Sequence, residues 1–92
     1  MVKEMISLKE SLMQQIHEAR VRIASLKKEK IERRAGAWAN AEGLADAKKD
    51  YVRSVVSNLD EDISILEADI EHYYNQISIL DEKIELEYLK DE

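Results

Sequence analysis

Few residues of this chain stand in spacings that could do chemistry. The two histidines, His17 and His72, are 55 positions apart. Asp69-x-x-His72 sets a carboxylate and an imidazole on one helical face, as di-metal bundles do, but those need four carboxylates and two such histidines converging. A solvated polar pair is the expected reading. There is no glycine-rich phosphate loop, no nucleophile elbow and no triad. With no cysteine in the sequence, neither a thiolate metal site nor a disulfide framework is available. No enzyme activity, metal or cofactor is expected.

Charge is the stronger signal. The net charge is −6, unevenly spread. Residues 1–19 carry −1, residues 20–53 carry +5 from ten Lys/Arg against five acids, and residues 54–92 carry −10. Arg33, Arg34, Lys48 and Lys49 flank Trp38, a combination suited to phosphates and base stacking. A solvated face with local ion pairs is the plainer account. Asp60, Glu61, Asp62, Glu67, Asp69 and Glu71 form an acidic arm that would either mimic a phosphate backbone in a basic groove or serve only for solubility.

The elements that must carry these groups are helical. The 92 residues are 37% charged and 45% hydrophobic, with no proline and two glycines, a composition typical of coiled coils. One domain is the most this length allows. No apolar run approaches the ~18–20 residues needed to cross a bilayer, and "MVKEMISLKE" lacks a signal peptide's apolar centre. A soluble, cytoplasmic protein is therefore expected.

Val56, Leu59, Ile63, Leu66, Ile70, Tyr73, Ile77, Leu80 and Ile84 alternate in steps of three and four, the a/d seam of a coiled coil. Beside it, Ile65, His72, Ile79 and Leu86 recur every seven residues in the c position, widening the apolar arc beyond a two-stranded seam. In the first half Val2, Met5, Leu12, Ile16, Ala19, Ile23 and Leu26 hold the seam, with Lys9 intruding and Lys30 and Arg33 closing it. Ser7-x-x-Glu10 has the form of a capping box.

The first seam's a positions carry forward to Ala37, Leu44 and Tyr51, two residues out of phase with Val56 and Ile63. Coiled coils absorb insertions of three or four, not two. A break is implied, against the rival of one unbroken alanine-rich helix. Gly36 and Gly43 offer permissive backbone and Asn40 a cap. The expected fold is an all-α antiparallel hairpin in a single domain: helix 1 over about 2–36, a turn over about 37–43, and helix 2 over about 44–90. Centred near Asn40, such a turn pairs residues whose numbers total about 80. Helix 2 would then overhang by roughly ten residues, ~15 Å. Leu80, Ile84, Leu86, Tyr88 and Leu89, with Ile65 and Ile79, would seek a homodimeric four-helix partner or another protein.

The text "LEADIEHYYNQISILDEKIELEYL", with "AWANAEG" and "KKDYV" before it, resembles small coiled-coil proteins of tailed bacteriophages over Arg33 to Leu89. That resemblance implies an accessory protein acting in the host cytoplasm by binding and blocking or bridging a host defence or nucleic-acid-processing complex. It supplies no catalytic residues. Trp38-Ala39-Asn40 and Tyr88-x-x-x-Glu92 also resemble the turn and export signal of WxG-type helical hairpins of type VII secretion, with Asn40 in place of the glycine. This second resemblance implies secretion with a helical-hairpin partner. The function expected is thus a non-enzymatic protein-interaction module, with the secreted hairpin and a nucleic-acid-contacting tip as alternatives.

Overall fold

Two helices run against each other along almost their whole length. A computed structural model describes residues 1–40 and 45–90, with side chains for 1–39 and 49–90. Helix α1 spans Val2–Asn40 and α2 spans Ala45–Lys90. The molecule measures 74 × 17 × 12 Å, one helix layer thick. The connection at 41–44, including the sequence's Gly43 and Leu44, lies outside the described residues.

Local chemistry favours these helices throughout. Strong helix formers fill the exposed positions and proline is absent. Glu29 accepts from Arg33 at 2.6 Å one turn later, the more favourable orientation of an i,i+4 pair. Glu4 in the first turn of α1 and Lys90 in the last turn of α2 each complement the local helix dipole. Since α1 begins at Val2, Ser7 lies inside the helix and caps nothing.

The seams are those the heptads dictate. Leu12, Ile16, Ala19, Ile23 and Leu26 are buried on α1, and Val52, Val56, Leu59, Ile63 and Leu80 on α2. Leu66, Ile70, Tyr73, Ile77 and Ile84 are half-buried in the same line. Ile23, Leu26, Leu59 and Ile63 form a tight cluster, with Leu66 and Ile70 packed against it. None of the described large side chains is completely enclosed. A single layer of two helices cannot enclose more.

The structure departs from the sequence expectations in two linked ways. Helix α1 does not stop at Gly36 but continues through Ala37 and Trp38 to Asn40. Ala37 is buried, continuing the a positions of the first seam. The register moves with it. Lys9 meets Asp81 at 2.7 Å and Lys30 meets Asp60 at 2.5 Å, and the residue numbers of each pair total 90, not 80. Met1 thus stands opposite the end of α2, and the expected overhang is absent. Leu80, placed in that overhang, is buried against α1 with Leu12 beside it. Lys9 is no defect: its stem lies along the seam and its ammonium reaches out to a carboxylate.

Gly36 sits in mid-helix, exposed, and a Cβ there would meet nothing within 4 Å. Gly36→Ala is expected to raise stability by about 0.5–1 kcal/mol in urea unfolding followed by circular dichroism. A loss would mean that this backbone is not regular helix. Replacing Lys9 and Lys30 together by leucine is expected to raise stability by roughly 1–3 kcal/mol in total, because half-exposed ion pairs are weak and leucine burial is not. The same variant should form mixed oligomers by light scattering, since a polar a residue selects register at a cost in stability. A fall in stability would show the ion pairs to be the stronger term.

Candidate functional site

The seam divides the hairpin into two long flanks, and their chemistry differs. On one flank Leu8, Leu12, Gln76, Ile79, Leu80 and Lys83 line a shallow groove near the open end. Arg22, Leu26, Asp62, Ile65 and Leu66 line another nearer the connection. Gln15, Glu18, Ala19, Arg22, Leu66, Asp69 and Tyr73 line a third between them. All three open on the same side, because Leu8, Gln15 and Arg22 are seven apart on α1, as are Asp62, Asp69, Gln76 and Lys83 on α2. Leu86, seven residues beyond Ile79, extends this flank.

The opposite flank carries His17, Met13, Arg20 and Tyr74 around a small hollow with Ile16. Arg20 donates to the Tyr74 hydroxyl and lies 5.5 Å from its ring centroid, a cation–π contact. Asp60, Glu67, Tyr74 and Asp81 recur every seven residues along one row of α2, so both lysine–aspartate pairs emerge here too. The three polar contacts from Lys9, Arg20 and Lys30 to α2 therefore share one side. This second flank is bridged at three points by the hairpin's own side chains, although Met13 and Tyr88 remain exposed on it.

Among the described residues, no hydrogen bond or ion pair laces the first flank in that way. Ile65 is 54% exposed, Ile79 52%, Leu86 64% and Leu8 52%. Full burial of each would contribute ~1.5–3 kcal/mol, about half of which remains unrealised at these exposures. Exposed apolar side chains repeated along one face of a charged protein, here interrupted by His72, mark a candidate contact surface. Asp62 and Lys83 border the row, and neither joins an ion pair among the described residues.

The residues singled out from the sequence are therefore sorted rather than gathered. Ile65, Ile79 and Leu86 share the open flank. Leu80 and Ile84 belong to the hairpin's own seam. Tyr88 falls on the second flank, fourteen residues after Tyr74, and Leu89 lies away from both. Leu8 joins the open flank from α1. The acidic arm is not one surface: Asp62 and Asp69 line the first flank, Asp60 and Glu67 follow the second, and Glu61 and Glu71 lie toward the back of α2.

The basic run is partly neutralised by folding. Lys30 is held by Asp60 and Arg33 by Glu29, while Arg34 and Lys49 are exposed. Trp38 is 43% exposed on the last turns of α1. The side chain of Lys48 and the residues of the WxG-like export signal beyond Lys90 lie outside the described residues.

His72 contacts Gln76 at 3.1 Å through its Nε2, and Asp69 gains no further ligand-type neighbour: among the described residues no group of three or more His, Asp or Glu could hold a metal. Within the same residues no helix is long and apolar enough to cross a membrane. Compared with known proteins, the chain matches no family model, no curated protein and no solved structure.

Proposed function

We propose that the chain is a non-enzymatic protein-interaction module whose open flank docks on the helical surface of another polypeptide, the assembly so formed blocking or bridging a macromolecular complex. The observation that carries this reading is the row Leu8, Ile65, Ile79 and Leu86, half to two-thirds exposed on the flank that the hairpin leaves unlaced. A long, stiff, two-helix rod presents such a row over many turns with little conformational entropy to lose on binding. The resemblance of residues 33–89 to phage coiled-coil proteins supports a host complex in the cytoplasm as the target class.

Mutation can separate the two flanks. Ile65→Glu/Ile79→Glu is expected to weaken capture of any specific partner at least tenfold, whereas Met13→Glu/Tyr88→Glu on the second flank leaves it within about twofold. Both pairs alter exposed positions, where stability changes are usually within about 0.5 kcal/mol per site; circular dichroism checks that the helices persist. Binding that ignores both pairs, but falls steeply with salt and with Arg33→Glu/Arg34→Glu, would replace this reading with nucleic-acid contact at the tip.

A further inference from the structure

We infer that the occupant of the open flank is a second copy of this chain, laid head to tail about a two-fold axis near His72. This rests on the open flank being the docking surface, and adds to it what docks and in which direction.

Two residues of the row on α2, Ile65 and Ile79, exchange under reversal about His72, while Leu86 falls opposite Asn58. Ile65 and Ile79 stand seven residues either side of His72, ~10.5 Å each way along the helix. Turning a second α2 end for end about His72 therefore sets Ile65 of each copy on Ile79 of the other. The borders match as well: Asp62 flanks Ile65 in one groove and Lys83 flanks Ile79 in the other, ten and eleven residues from His72. Reversal brings each Asp62 against a Lys83. A two-fold interface requires this self-complementarity, residue i on j and j on i.

Charge along the rod chooses the direction. Residues 1–19 and 70–92, the open end of the hairpin, together carry four basic and ten acidic residues. Side-by-side copies pointing the same way would stack two such ends, each −6, on each other. Reversed about His72, each open end instead lies along residues 17–35 and 52–74 of the other copy. Those carry eight basic against nine acidic residues, a net −1. Repulsion between the copies is thus much smaller head to tail.

Area is sufficient. The copies overlap over residues 54–90 of α2, about 55 Å of helix. Along a rod 17 Å wide, that exceeds the ~800 Å² per partner of a standard interface. A second layer would also supply the depth that a rod 12 Å thick lacks, completing a four-helix bundle.

The chain has no cysteine, so single cysteines report directly on proximity. Three full-length variants, I65C, H72C and I79C, are oxidised alone and in mixtures, one member of each mixture carrying a mass tag. Disulfide formation needs Cα atoms about 4.4–6.8 Å apart. The expected result is a dimeric mass by light scattering at tens of micromolar, efficient self-crosslinking of H72C, and crosslinking of I65C to I79C at least tenfold faster than of either to itself. Self-crosslinking of I79C at the rate of the mixed pair would overturn the head-to-tail arrangement. A monomeric mass would overturn the second copy outright. If the monomer still captures another protein in an Ile65- and Ile79-dependent way, the docking reading survives; if it captures none, that reading falls too.

Discussion

The structure hangs on where one helix stops along the other, and two lysines decide it. A heptad seam by itself tolerates sliding by seven residues, because apolar side chains meet apolar side chains in every such register. Lys9 and Lys30 stand 21 residues apart in α1, and Asp60 and Asp81 stand 21 apart in α2. Both pairs close in one register. Slid by seven in one direction, Lys9 would face Tyr88 and Lys30 Glu67; slid in the other, Lys9 would face Tyr74 and Lys30 would meet Arg53. Neither alternative satisfies both lysines, and one sets like charges together. The aspartates are half exposed, so each pair contributes little energy, about 0–1 kcal/mol in typical cases. What they supply is a difference between registers.

Much of this is legible in the residues. The nine a/d positions from Val56 to Ile84 are all buried or half-buried, and the two-residue phase offset correctly demands two helices. The end of α1 is not legible in the same way. Gly36 reads as punctuation, because glycine costs a helix about 1 kcal/mol against alanine. Here the long helix before it and the burial of Ala37 outweigh that cost. Geometry amplifies the consequence. Each residue by which the midpoint of pairing moves along the chain shifts the partner of every other residue by two, so moving that midpoint from about 40 to 45 turns a total of 80 into 90. That shift converts an expected overhang into a stretch where the chain pairs with itself.

The same displacement explains why the candidate surface is only partly readable from sequence. The c row of Ile65, Ile79 and Leu86 follows from sevenfold spacing alone and needs no knowledge of the turn. Leu80 and Ile84 join it only if an overhang leaves them without a partner, and the true register gives them one. Lys9 carries the decisive signal: a charged residue at an a position calls for a carboxylate across the seam. Asp81 is the e-row acid that the register with Lys30 and Asp60 selects. Taken as demands rather than interruptions, the two lysines set the pairing from the residues alone.

Register and surface are thus one question. The lysines enter from α1 seam positions and are answered by aspartates from a single side of α2, and Arg20 reaches Tyr74 on that side as well. Polar side chains committed across the seam bridge that flank at three points with groups whose partners are already chosen. A newcomer there would have to displace them and leave charges unpaired. On the other flank the bordering charges, Asp62 and Lys83, join no ion pair among the described residues, and the apolar row between them is still half wet. A partner therefore meets an asymmetric rod. The asymmetry follows from how the hairpin aligns itself, so a change that freed the second flank would also free the register.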